Sequence, residues 1–180
     1  MKNQQFGGKK GWGRPVSPED QPLIHALMQR IYPAVFGHYW QDGGSWYLEH
    51  CYGAEALRSD LARPGMDYRL LFLDAAPCGI LQVEWGTPMP DNTGKAVYLH
   101  RLYLGREAQG TGLAAALVRE LTARARRKDY DYVWLEAMAR QPQALRFYEK
   151  QGFVRGPGYE LSFPLMLPAY RRIDRYTLSL

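Results

Sequence analysis

The chain has 180 residues, 46% of them hydrophobic, which excludes a disordered chain and leaves room for one well-cored domain. Its net charge of +5 is modest, and no Lys/Arg block with interleaved aromatics marks a nucleic-acid surface. Cys51 and Cys78 lack a C-x-x-C pattern, so neither a disulfide framework nor a cysteine-ligated metal site is expected, and no apolar run suits a membrane span or a signal peptide. The expectation is a cytoplasmic protein, monomer or homodimer, with no metal and no membrane or nucleic-acid partner.

Residues 1–12, rich in glycine and lysine, read as a flexible tail, and 13–180 as a single domain. A helix start follows at Ser17, with Pro18 in its first turn and the acids Glu19 and Asp20 behind it. Leu23, Ile24, Leu27, Met28 and Ile31 then recur at helical spacing. The stretch GHYWQDGGSWYLEHCYG is aromatic and glycine-punctuated, and a short helix over AEALRSDLA ends at Arg63-Pro64-Gly65. DYRLLFLD and CGILQVEWG read as strands in hairpin relation, TPMPDNTG as a loop, and KAVYLHRLYL as a third long strand. Next comes a glycine turn and a helix over 111–128, with Leu113, Leu117 and Leu121 on one stripe and Arg124, Arg126, Arg127 and Lys128 at its end. DYVWLEAMA is β-rich, QPQALRFYEKQG is a helix closed by Gly152, and two strands finish the chain. Helices, a β-meander, then β-α-β-α-β-β make a mixed α/β sheet.

The glycine turn invites three readings. As a mononucleotide loop it fails, because Thr111 stands where the lysine belongs and Gly112 where the Ser/Thr belongs. Gly110, Gly112 and Ala115 match a dinucleotide loop, but the preceding strand falls mid-chain after a meander, and no acidic residue closes a second strand where the ribose would need one. Gln109, Gly112 and Ala114 fit the pattern Q/R-x-x-G-x-G/A with agreement on both sides.

In that third reading YLHRLYLGREAQGTGLAAALV, DYVWLEAMARQPQALRFYEKQGF and RPVSPEDQPLIHAL together resemble the GNAT superfamily of N-acetyltransferases, nearest to its small-amine, polyamine-type branch. The resemblance implies a mostly antiparallel six- to seven-stranded sheet with about four helices. It further implies acetyl-coenzyme A as cosubstrate, its pyrophosphate held by the amides of Gln109, Gly110, Thr111, Gly112, Leu113 and Ala114. Glycine permits that approach without a Cβ, and the helix dipole favours the anion. The pantetheine arm would lie beside Leu102, Tyr103 and Leu104, where the family splays its central strands, with the Leu104 amide polarising the carbonyl. Gln141 stands where the family often has asparagine, and by the resemblance its side-chain amide joins the cofactor-binding set.

By the same resemblance His100 is the candidate general base, with Glu136 and Glu84 as alternatives, and Tyr148 the general acid toward the leaving thiolate. A covalent route through Cys51 or Cys78 finds no supporting motif. Tyr39, Trp40, Trp46 and Tyr47, with Asp42 and Glu49, are expected to wall a pocket for a small cationic or aromatic amine. The implied function is direct acetyl transfer to a primary amine in a ternary complex, the alternatives being a non-catalytic acyl-CoA sensor of the same fold or a protein or peptide N-acetyltransferase.

Overall fold

The apolar stripe of the first helix becomes its buried face. In a computed structural model, which describes residues 4–6, 9–90 and 92–180, helix α1 runs over Gln21–Phe36 and buries Ile24, Leu27, Met28 and Ile31, while Leu23 stays at the surface. Helices α2 (Ser45–Tyr52) and α3 (Ala54–Ala62) follow, then strands β3 (Met66–Leu73), β4 (Ala76–Trp85) and β5 (Ala96–Leu104). Helix α4 (Leu113–Arg127), β6 (Tyr132–Met138), α5 (Pro142–Lys150), β7 (Val154–Glu160) and β8 (Arg172–Ser179) complete the chain.

With β1 (Gln4–Phe6) and β2 (Lys9–Pro15) in front, the described strands form one eight-stranded sheet in the order β1-β2-β3-β4-β5-β6-β8-β7. The β5–β6 pair is parallel and the other pairs are antiparallel. The sheet thus exceeds the expected six to seven strands, and the α-helices among the described residues number five.

The difference lies at the front of the chain. Residues 1–3, 7 and 8 of the expected tail lie outside the described residues. Lys9 to Trp12 belong to β2, which pairs with β3 from Gly11↔Leu73 to Pro15↔Arg69. Trp12 stacks on Phe72 at 4.2 Å, and its indole N–H donates to the Asp74 carbonyl at 2.7 Å. A cross-strand aromatic partner 60 residues away holds a segment whose own composition, GGKKGWG, reads as loop.

Both faces of the sheet are covered, which is why RLLFL lacks polar alternation. Leu70 and Phe72 pack toward α1–α3, and Leu71 and Leu73 toward α4. On α4 the stripe Leu113, Leu117 and Leu121 is buried as its spacing predicts, each side chain contributing about 1.5–3 kcal/mol. Gly152 takes the left-handed conformation after α5 (φ +92°), and the Phe153 N–H reaches back to the Tyr148 carbonyl at 3.1 Å.

Candidate active site

Strands β5 and β6 pair from Ala96↔Tyr132 to Leu99↔Leu135 and no further, although β5 continues to Leu104 and β6 to Met138. His100–Leu104 and Glu136–Met138 therefore border an opening in the sheet. At its apex β5 carries a bulge: Leu99 lies opposite Val83 and Arg101 opposite Gln82, which leaves His100 as the extra residue. The bulge resets which side chains share a face. Val97 and Leu99 pack under α4, and so do Leu102 and Leu104, a step of three instead of two. His100 and Arg101 consequently both fall on the α1–α3 side with Tyr98 and Tyr103.

The same pairing decides which backbone groups meet the opening. The Gly105 N–H donates to the Cys78 carbonyl at 2.8 Å, so by antiparallel alternation the backbone of Tyr103 also turns to β4. A Cβ on Gly79 would collide with the Tyr103 carbonyl oxygen, as that orientation requires. Leu102 and Leu104 then present N–H and C=O to the gap. Of the three residues expected to contact the pantetheine arm, two have outward-facing backbone, while the Tyr103 ring packs against Tyr32 and Phe36.

Beyond β5 the chain makes a single helical turn at Arg106–Ala108 and enters the glycine loop. Gly110 (φ +71°) and Gly112 (φ +87°) are left-handed, and nothing lies within 4 Å of where their Cβ atoms would be, so the loop is open on that side. The Thr111 hydroxyl donates to the Ala108 carbonyl at 2.8 Å and accepts the Leu113 N–H at 3.3 Å, tying loop to helix. Ala116 is the first amide to bond within the helix, to the Gly112 carbonyl at 3.0 Å. The amides of Ala114 and Ala115 precede it without an intrahelical acceptor, at the positive end of the dipole. Leu113 is wholly buried and its N–H is taken by the Thr111 hydroxyl, so of the expected pyrophosphate contacts it is the one turned inward.

His100 lies with Nδ1 3.2 Å from Glu84 Oε1 on β4, short of hydrogen-bond alignment, so this occluded nitrogen has no in-line partner. Arg63, just past α3, donates Nη1 to the same Glu84 oxygen at 2.8 Å. Burial lowers the His100 pKa below the ordinary 6.5, with Arg101 and Arg63 adding to the effect and Glu84 opposing it. The Glu84 pKa is lowered by His100 first and by Arg63 as well, against its own burial. The resting pair is thus a neutral imidazole beside an ionised carboxylate.

Glu136, the alternative base on β6, already accepts the Tyr98 hydroxyl at 3.1 Å and faces Arg175 Nε at 3.4 Å. Tyr148 packs its ring on Phe147 and Phe153, and burial raises its pKa, with Tyr103 the other influence. It stays protonated through the neutral range. Gln141 is the N-cap residue of α5 and sends its side-chain amide to the Val35 carbonyl of α1 at 3.3 Å. The structure therefore gathers His100, Glu84, Tyr98, Glu136 and Arg101 on one face of the opening, while Gln141 braces α5 against α1.

Residues 24–153, well over half of the chain, match the family model described as Acetyltransferase (GNAT) family. The chain belongs to the GNAT acetyltransferase family. Solved structures agree in fold. An acetyltransferase from Thermus thermophilus is 23% identical, with 94% of this chain and 97% of that one covered at a TM-score of 0.68. PaiA N-acetyltransferase from Thermoplasma acidophilum, in complex with coenzyme A, is 17% identical over 92% of this chain and 97% of its own, TM-score 0.70. A variant of the spermidine N-acetyltransferase SpeG from Vibrio cholerae is 18% identical over 94% and 93%, TM-score 0.62. The protein is a GNAT N-acetyltransferase, and among its described residues no helix is long and apolar enough to cross a membrane.

In this GNAT enzyme the aromatic stretch before α2 is largely core. Tyr39 is 0% and Trp40 4% exposed, and the Trp40 indole N–H donates to the Tyr32 hydroxyl at 3.0 Å. Asp42 caps α2 through the Gly44 and Trp46 amides, at 3.0 and 2.6 Å. The Glu49 side chain is 77% exposed and faces His25. The acids expected in the acceptor wall are thus spent on local structure and solvent, whereas Tyr47, partly exposed, stays beside Arg101 and Tyr103. Sequence reasoning missed Arg63 and Arg101. In the sequence Arg63 reads only as a helix end, and nothing local announces a partner 21 residues away across the sheet.

Proposed function

We propose that this chain transfers the acetyl group of acetyl-coenzyme A directly to the primary amine of a small-molecule acceptor in a ternary complex, in the cytoplasm. The observation that carries the reading is the β5–β6 opening, edged by the outward backbone of Leu102 and Leu104, with His100 at its apex. The fit of the donor is physical. Left-handed Gly110 and Gly112, with open space where a Cβ would be, sit before helix amides that lack intrahelical partners, as a pyrophosphate requires. An inserted pantetheine amide chain would pair with Leu102 and Leu104 as an added strand does.

An alkylamine with a pKa of about 10.4 costs about 4–5 kcal/mol to deprotonate at pH 7. Neutral His100 takes that proton. The Leu104 N–H stabilises the oxygen as the carbonyl becomes tetrahedral, a donor of a kind worth about 10²–10³ in rate. The N–C bond forms, the C–S bond breaks, and the Tyr148 hydroxyl supplies a proton to the departing sulfur.

Thiol release measured over an amine panel tests this function. Release that depends on one amine class supports it, whereas tight acetyl-coenzyme A binding with no amine-dependent release would mark a sensor instead.

A further inference from the structure

We propose that Glu84 and Arg63 are positioning residues that set the tautomer of His100, holding Nδ1–H toward the Glu84 carboxylate and leaving the Nε2 lone pair for the acceptor amine; this rests on His100 being the base. An ionised carboxylate accepts hydrogen bonds and donates none, so the ring nitrogen facing it must carry hydrogen. Glu84 Oε1 is 3.2 Å from Nδ1, and the Arg63 guanidinium, 2.8 Å from the same oxygen, keeps that carboxylate charged. A neutral imidazole has one N–H, and with it on Nδ1 the other nitrogen is the base.

Exposure agrees with the assignment. Nδ1 is closed off, yet the His100 side chain keeps 21% of its surface accessible, so the ring is open at another edge. Its plane is held by Tyr98, stacked at 5.1 Å, which is itself stacked on Trp134 at 4.0 Å and anchored through its hydroxyl to Glu136. Arg63 is fixed in turn by a second ion pair, to Asp60 on α3. Asp60 also accepts from the Gln82 amide at 2.5 Å, and Arg101 Nη1 donates to Gln82 Oε1 at 2.5 Å.

The charged and titratable groups facing His100 are therefore Arg63 from the end of α3, Glu84 from β4, and Arg101 and Tyr98 from β5 itself. Two cations and burial favour the neutral ring, and one carboxylate stands ready for the imidazolium. As Nε2 takes the amine proton, the Nδ1–H···Oε1 approach becomes a charge-assisted hydrogen bond. Such contacts are often misaligned in a free enzyme and tighten in the reacting complex.

The test has two arms. In the wild-type enzyme, ¹⁵N NMR of labelled imidazole nitrogens reads the His100 tautomer directly; Nδ1–H is expected, and Nε2–H overturns the proposal. In the second arm Glu84→Gln keeps the shape but offers an amide that can donate, so it favours the wrong tautomer. It should cut kcat about 10–100-fold with little change in acceptor KM, move the acid limb of kcat to lower pH, and be partly rescued by Glu84→Asp. Unchanged kcat and limb in Glu84→Gln overturn the proposal. Full activity in His100→Ala would instead sink the assignment of the base, so the two failures are distinct. Should Glu84→Gln fail to fold, the wild-type tautomer decides alone.

Discussion

A histidine works as a base only while neutral, so on the proposed role of His100 its environment governs where activity begins on the pH axis. Its pKa is lowered by burial, with Arg101 and Arg63 helping, so the neutral form persists below the ordinary value of 6.5. The kcat profile should keep rising only up to a limb below that value, and His100→Gln should abolish this limb along with most of the rate. A profile whose acid limb is unchanged in the variant would assign that titration elsewhere. Tyr148 offers the complementary check, since burial keeps its hydroxyl protonated. Tyr148→Phe removes the hydroxyl and little packing volume, so kcat should fall about 10²-fold or more while acetyl-coenzyme A affinity, read by calorimetry, stays within a few-fold. These residue types were readable in the chain. Their orientation was not, because a bulge of one residue in β5 decides that His100 and Arg101 share a face.

Among the elements, the loop and its helix were the most legible, because a left-handed turn needs glycine and a helix stripe needs its spacing. Gly112→Ala isolates the backbone: the added methyl meets no neighbour, so only the conformation at φ +87° is strained, by about 1–2 kcal/mol. Acetyl-coenzyme A KM should rise about tenfold with kcat little altered, and an unchanged KM would place the pyrophosphate elsewhere. At the entry to α1, Asp20 accepts both Arg14 Nη1 and Nη2 at 2.6 Å and the Ser17 amide at 2.9 Å. Arg14 first, against burial, brings the Asp20 pKa from 3.8 to about 2. A depressed carboxylate pKa contributes stability that is complete above the unfolded value and lost as pH falls from 3.8 toward about 2. Asp20→Asn should therefore cost about 1–2 kcal/mol at pH 7, discounted for the partly exposed arginine, and markedly less near pH 2.5. Urea denaturation at the two pH values checks this, and an equal loss at both would assign the effect to packing.

Across the whole molecule, what the acceptor meets is set by charge drawn from distant parts of the chain. Asp60 and Glu84 share Arg63, Asp60 also faces Arg101, and Glu136 faces Arg175. These carboxylates already have arginine partners, while Asp42 and Glu49 point to other work. A second ammonium on the acceptor would find Asp60, Glu84 and Glu136 already engaged by arginines, and desolvating a cation without a new partner is costly. A monoamine should thus surpass a polyamine bearing the same reacting group by at least about tenfold in kcat/KM. A preference for spermidine would overturn that reading of the acceptor face, and it would turn attention to the Glu49 rim instead.

Local chemistry was enough to mark the glycine loop, the helix stripes, the Tyr148 helix and the succession of strands, since each depends on neighbours within a turn or a hairpin. The first residues of β2, Lys9 to Trp12, escaped because their stability comes from Phe72 and Asp74, far along the chain. The opening between β5 and β6, the outward parity of Leu102 and Leu104, and the Arg63–Glu84–His100 alignment escaped for the same reason. Register and face are properties of pairing, and a chain read singly has no partner to pair with. QGTGLA could be recognised as a loop for an anion from its own residues; that a neutral, carboxylate-backed histidine stands beside the splayed strands was decided only when the sheet brought α3, β4 and β5 together.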